Sequence, residues 1–134
     1  MRAPRLNHIL IVEDDGDLLE VLKFVLEDEG YRVSTASGGA QALAIAGSGK
    51  VSLVLLDVTM PEIDGIEVAK RLRADLRTAN IRVALHTGVA VPAIRARFTD
   101  YDAFIAKTED AEELTAAIKA AIELPLPERV ALAG

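Results

Sequence analysis

Leu53-Val54-Leu55-Leu56-Asp57 sets four consecutive apolar residues against a carboxylate. A strand that is apolar at successive positions, rather than at alternate ones, is covered on both faces. That is the mark of a parallel sheet with helices above and below it. The run extends back to Val51 and predicts a strand over Val51–Leu56. His8–Val12, Ile81–His86 and Ala103–Ala106 have the same near-continuous apolar character, whereas Tyr31–Ala36 alternates and reads as an edge strand. Helical spacing fills the intervals. Leu18, Leu22, Val25 and Leu26 share a face within Asp17–Glu29, and Gly30 follows as a stop. Ala42, Leu43 and Ala46 do so within Ser37–Ala46. Asp64-Gly65-Ile66-Glu67 reads as a capped helix start, and Pro92 as a first helical turn leading to Ile94 and Phe98. Asp110 with Glu113 caps a last helix that runs through Leu114, Ile118 and Ile122 and stops before Pro125. The order is (βα)₅, an α/β fold with a doubly wound parallel sheet.

Composition agrees with one such domain and removes other classes. The chain has 134 residues, 51% of them hydrophobic but only 4% aromatic, so its core is aliphatic. A net charge of −6 argues against direct nucleic-acid binding, which needs clustered positive charge. The absence of cysteine removes disulfides, thiolate metal sites and cysteine nucleophiles. The apolar residues Ile9–Val12 run straight into Glu13-Asp14-Asp15, which fits neither a signal peptide nor a membrane span. These features predict a cytoplasmic protein without membrane contact.

Ligands of open parallel sheets bind beyond the carboxyl ends of the strands. Strand one ends in Glu13-Asp14-Asp15, strand three in Asp57, strand four in His86-Thr87 and strand five in Lys107. Carboxylates gathered at one edge repel one another, and a hard divalent cation relieves this. An oxygen-only ligand set points to Mg²⁺ rather than Zn²⁺. A carboxylate beside such a cation, with an ammonium and a hydroxyl nearby, is suited to attack a phosphoryl group. Asp57, alone at the end of the central strand, is the best placed nucleophile.

Ile9-Leu10-Ile11-Val12-Glu13-Asp14-Asp15, Leu55-Leu56-Asp57-Val58-Thr59-Met60-Pro61, Asp64-Gly65, Thr87 and Lys107 together resemble the receiver domain of bacterial response regulators, with the chemotaxis-type single-domain receiver as nearest model. The resemblance covers roughly residues 7–123 and implies a flavodoxin-like sheet of order 2-1-3-4-5. It implies that Asp57 is the phosphoacceptor, and that Asp14 holds Mg²⁺ directly and Glu13 through water, with Asp57 and the Thr59 backbone carbonyl beside them. Thr87 then bonds a phosphoryl oxygen, Lys107 pairs with the phosphoryl charge, and Phe104 is the aromatic that turns inward as Thr87 moves. The implied partners are a sensor histidine kinase or histidine phosphotransfer protein and an unknown downstream protein, the chain being a monomer or weak homodimer. It assists only its own phosphorylation and dephosphorylation and turns over no external substrate. Residues 124–134 read as a short tail, with no output domain.

Three positions depart from the family pattern. Thr108 follows Lys107 where proline is usual, so a trans bond is expected, a non-proline cis bond costing ~2.5–4 kcal/mol. Thr87 and Lys107 stand about two residues closer in sequence than the family implies, shortening the fourth helical segment and putting the usual signalling surface in question. Gly88 and Val89 follow Thr87, and an apolar Val89 suggests slow self-hydrolysis of the acyl phosphate. Plainer readings run beside these. Glu13-Asp14-Asp15 could simply cap a helix. His8 and His86 read as structural, His86 having a place beside the site as its alternative. Arg71, Arg73, Arg77, Arg82, Arg95 and Arg97 read as solvated faces, Arg95 and Arg97 doubling as candidates for a partner contact. Two functional alternatives remain: a receiver-fold interaction module that is never phosphorylated, and an aspartyl-nucleophile, Mg²⁺-dependent phosphohydrolase.

Overall fold

The computed structural model describes residues 7–59, 64–88 and 94–125. Five parallel strands form one sheet: β1 (His8–Val12), β2 (Arg32–Ala36), β3 (Leu53–Asp57), β4 (Arg82–Thr87) and β5 (Ala103–Ala106). Their order is β2-β1-β3-β4-β5, as the resemblance implies, and the alternating strand lies at an edge. The helices between them are α1 (Gly16–Asp28), α2 (Gly39–Ser48), α3 (Gly65–Ala74) and α4 (Ala111–Ile122). Met60, Pro61, Val89 and Pro92 lie outside the described residues. Of the helical segment expected from Pro92, one turn is described, in which Arg97 N and Phe98 N both donate to Ile94 O.

Strand alternation sorts the core into two layers. Leu10, Val12, Val54, Leu56 and Leu85 pack with Ile66 and Leu72 of α3 and Ala42 and Ala46 of α2. Ile9, Ile11, Leu53, Leu55, Ala84 and Ile105 pack with Leu22 and Leu26 of α1 and Leu114 and Ile118 of α4. Both faces of β1 and β3 are thus buried, which is why their sequences show no alternation. Helix starts follow the predicted caps: Asp15 accepts from Asp17 N and Leu18 N, Asp64 from Glu67 N, and Asp110 from Glu112 N and Glu113 N.

Several boundaries differ from expectation. Ser37 lies outside α2, its N–H donating to the Gln41 side chain, and the helix begins at Gly39. Strand β3 starts at Leu53; Ser52 before it still meets β1, its N–H donating to His8 O, but its hydroxyl is what accepts from His8 N. Arg73 is the largest correction. It is buried rather than solvated, bonding the carbonyls of Ala79, Ile81 and Asp100 and pairing with Asp102 at 2.8 Å. Asp102 also accepts from Val83 N, so this pair ties the end of α3 to the starts of β4 and β5. The arginines of the 94–97 turn are tethers as well. Arg97 pairs with Asp64 at 2.6 Å, and Arg95 Nε donates to the Tyr101 hydroxyl.

Candidate functional site

Because side chains alternate along a strand, Glu13, two residues past Ile11, and Asp57, two past Leu55, emerge on the α1/α4 face at the carboxyl edge. Each is almost wholly buried, 2% and 3% exposed, while Asp14 is exposed. Carboxylate oxygens of Glu13, Asp14 and Asp57 lie within 4.8 Å of one another. Asp15 stands apart from this cluster as the α1 cap, so the acidic run divides into two metal-competent acids and one helix cap.

The pocket of charge is held from several sides. Thr59 N donates to Asp57 Oδ1 at 3.2 Å, and Asp15 N to Glu13 Oε2 at 3.2 Å. Lys107 Nζ lies 3.3 Å from Glu13 Oε1 and 3.5 Å from Asp57 Oδ1. Glu13 Oε1 is buried with no hydrogen bond, an acceptor suited to a cation or its water shell. Burial pushes the Glu13 carboxyl up from 4.5 to about 7; the Asp15 N–H opposes this, the Asp57 charge adds to it, and Lys107 restrains it. Burial works against the Lys107 ammonium, but the Asp57 and Glu13 carboxylates outweigh it and hold its pKa above the ordinary 10.5. The site therefore carries a deficit of positive charge that one lysine does not cancel. Its donors are all oxygens, and they fit Mg²⁺.

The backbone behind Asp57 is equally constrained. Gly65 N donates to Val58 O at 2.9 Å, and a Cβ on Gly65 would meet the Asp57 carbonyl oxygen and come within 2.9 Å of Val58 Cα. The start of α3 thus rests directly on the strand end that presents Asp57, and only glycine permits it.

Thr87 ends β4, 2% exposed, one residue past His86, the register partner of Asp57. Its carbonyl accepts from Lys107 N at 3.2 Å, so β4 and β5 stay in step at the site. Phe104 is half-buried opposite Leu85, on the α2/α3 side of the sheet. Thr87 follows Leu85 by two residues and shares that side, while Asp57 and Lys107 occupy the other. No cis peptide bond occurs among the described residues. Thr108, where the family has proline, instead closes its loop: its hydroxyl accepts from Asp110 N and donates to Glu113 Oε2, both at 3.1 Å.

His8 behaves as the structural histidine expected, its Nε2 2.7 Å from Ser34 Oγ. His86 differs. It is 3% exposed, and burial together with the Lys107 charge pushes its pKa down to about 4, so the ring is neutral. Its place opposite Asp57 was visible only once the strands were in register. No helix among the described residues is long and apolar enough to cross a membrane.

Known proteins match this chain over the same elements. The family model for the response regulator receiver domain covers residues 9–119. The transcriptional regulatory protein YkoG of Bacillus subtilis is 40% identical over 119 residues, which is 87% of this chain and 51% of that protein. The dual master transcriptional regulator RpaA of Synechocystis is 34% identical over 116 residues, 84% of this chain and 47% of that protein. The chain spans about half the length of these curated relatives. Among solved structures, the Thermotoga maritima response regulator TrrA in complex with Mg²⁺ and BeF superposes with a TM-score of 0.77 at 32% identity, covering 87% of this chain and 99% of that one. The receiver domain of the Pseudomonas aeruginosa sensor histidine kinase PA1611, with magnesium in its active-site cleft, gives 0.79 at 25% identity, covering 87% and 98%. Sequence, topology and acidic edge agree, and the chain belongs to the response regulator receiver domain family.

Proposed function

We propose that Asp57 is the phosphoacceptor of a two-component pathway or phosphorelay. The observation that carries this reading is the Lys107 ammonium held 3.3 and 3.5 Å from Glu13 and Asp57, inside a cluster of three carboxylates. The partners that fit are a sensor histidine kinase or histidine phosphotransfer protein upstream and a downstream protein that reads the switched surface. In the transfer, the N–P bond of a phosphohistidine breaks, an O–P bond to Asp57 forms, and the histidine nitrogen takes up a proton.

The chain's residues divide the work. Thr59 N–H donates to Asp57 Oδ1 and so fixes the carboxylate at the strand end. Lys107 sits where charge develops on the transferred oxygens. Glu13, Asp14, Asp57 and the Thr59 carbonyl are the residues that would hold Mg²⁺, which would supply charge neutralisation for an acceptor that gains ~1.5–2 negative charges. Thr87 and Phe104 form the switch: the hydroxyl follows the phosphoryl group, vacating space on the α2/α3 side that the half-buried ring enters. Residues 7–123 act as the receiver unit, in the cytoplasm.

The test is phosphorylation by acetyl phosphate with Mg²⁺, and beryllofluoride binding read by NMR, in wild type and Asp57→Asn. Wild type is expected to respond and the variant not to. Unchanged spectra in both defeat the reading, and steady turnover of simple phosphate esters replaces it with a phosphohydrolase.

A further inference from the structure

A cavity of about 930 Å³ opens at the amino edge of the sheet, the end away from Asp57. Small-molecule sites commonly enclose roughly 300–1,000 Å³. Its wall follows the sheet order: Tyr31 precedes β2, Asn7 precedes β1, Lys50 and Ser52 precede β3, and Arg82 opens β4. Neighbouring strands lie ~4.8 Å apart, so the three steps from β2 to β4 span about 14 Å. The end of α4 adds Lys119, Ile122 and Glu123, and the turn after α3 adds Arg77. Four cations thus line the cavity, Lys50, Arg77, Arg82 and Lys119, against the single acid Glu123. This occurs in a chain whose net charge is −6. Arg77 is matched by Asp75 at 2.9 Å, and Arg82 spends Nε and Nη2 on the Leu124 carbonyl. The exposed side chains of Lys50 and Lys119 have no ion pair or hydrogen bond among the described residues. Cations converging from separate segments on a concave, partly apolar wall focus their field there, as the same charges on a convex face do not. The β2 end differs. Tyr31 packs against the α1/α4 layer, and burial, then the Glu29 and Glu123 charges, raises its pKa above the ordinary 10.0. The groove offers a flat, neutral ring with carboxylates near it at one end and cations toward β3 and β4.

We propose that this cavity binds a nucleotide carrying two or more phosphates, the phosphates on Lys50, Arg82 and Lys119 and the base against Tyr31. The two lysines bring uncommitted ammonium donors, and Arg82 keeps Nη1 for a phosphate oxygen. Glu123 accepts from the ribose hydroxyls or a base amino group. An inorganic anion would use the cations and leave the Tyr31 end unused. A nucleic acid or a large acidic protein would meet the negative charge of the rest of the chain, whereas a small ligand meets the cavity alone. The site shares no residue with the acidic cluster, and it stands whether or not Asp57 is the phosphoacceptor.

The test is calorimetric titration of the whole chain with ADP, and separately with pyrophosphate and with adenosine, in EDTA at physiological ionic strength. Amide NMR spectra map where each binds. ADP is expected to saturate one site and to shift the amides of Tyr31, Lys50 to Ser52 and Arg82, leaving Asp57 and Lys107 unmoved. Pyrophosphate and adenosine each bind at least about tenfold more weakly, because each fills one end of the groove. Lys50→Ala and Lys119→Ala each weaken ADP about tenfold, the order expected for a lost charge-assisted hydrogen bond. The double reversal Lys50→Glu/Lys119→Glu abolishes binding, while Tyr31→Leu weakens ADP and leaves pyrophosphate unchanged. Both lysines are exposed, so their variants are expected to melt with wild type, and they decide the matter even if Tyr31→Leu unfolds. No binding of ADP, an affinity unchanged by the double reversal, or shifts centred on Lys107 overturns the proposal. Pyrophosphate binding as tightly as ADP overturns it as well, since the groove is then an anion patch that does not read a base.

Discussion

Glu13 and His86 make the stability of the metal-free protein depend on pH in opposite senses. Glu13 has a native pKa of about 7 against its ordinary 4.5. The native state therefore holds a proton that the unfolded chain has lost, and stability falls as pH rises from 4.5 to 7. At about 1.4 kcal/mol per pH unit, the interval amounts to roughly 3 kcal/mol. His86, pushed from 6.5 to about 4, does the reverse. The unfolded chain takes up a proton that the buried ring refuses, so stability is lost as pH falls from 6.5 to about 4, again by roughly 3 kcal/mol. His8 is also lowered, by burial and then by Arg32, and adds in the sense of His86. Asp64, where burial is outweighed by the Arg97 pair and the Glu67 N–H, sits below 3.8 and titrates beneath this window. The variants isolate each term, because the remaining groups are common to both proteins compared. Urea unfolding followed by circular dichroism, with EDTA, from pH 4 to 7.5 is the measurement. Glu13→Gln is expected to gain on wild type as pH rises, by about 3 kcal/mol over the window, and His86→Leu to gain as pH falls. Parallel profiles for Glu13→Gln and wild type would refute the argument, since Glu13 would then be an ordinary carboxylate.

Mg²⁺ affinity should weaken about tenfold per pH unit below 7, because the metal must displace the Glu13 proton; calorimetric titrations at two pH values check this. Gly65→Ala drives a methyl group into the Asp57 carbonyl and should cost about 1–3 kcal/mol in thermal unfolding while weakening Mg²⁺ binding, as Asp57 is displaced. Arg73→Leu leaves Asp102 and three carbonyls without their cation and should cost about 3–5 kcal/mol, with Arg73→Leu/Asp102→Asn recovering part of the loss. Asp110→Ala removes the acceptor for Glu112 N and Glu113 N, and about 1 kcal/mol of stability in the same assay.

The one-dimensional pattern carried the architecture because burial on both faces writes itself locally. Leu53-Val54-Leu55-Leu56 can be nothing but an inner strand in a chain that alternates strands with amphipathic helices. The acids Glu13, Asp14 and Asp57 were legible for the same reason: a carboxylate placed directly after a buried apolar run stands at a strand end, where such sheets bind ligands. Caps at Asp64 and Asp110 are equally local, a side chain bonding an amide two or three residues on. Arg73 was misread because its partners are distant in sequence. Its helix face looks solvated until β4 and the residues before β5 arrive to offer carbonyls and Asp102. Gly65 looked like part of a helix cap, and the demand for glycine there comes from a neighbouring backbone rather than from a turn. His86 is the clearest case. Its sequence neighbour Thr87 points to the α2/α3 side, whereas His86 faces the acidic site, and nothing in a linear reading says which strand lies beside it. Sequence alone determined the sheet, the order of its elements and the acids at its edge, because hydrophobic periodicity and capping act over a few residues. Which of those edge groups share a face, how far Lys107 reaches and what lies beneath it were decided by strand register, a long-range property that exists only once the sheet has formed.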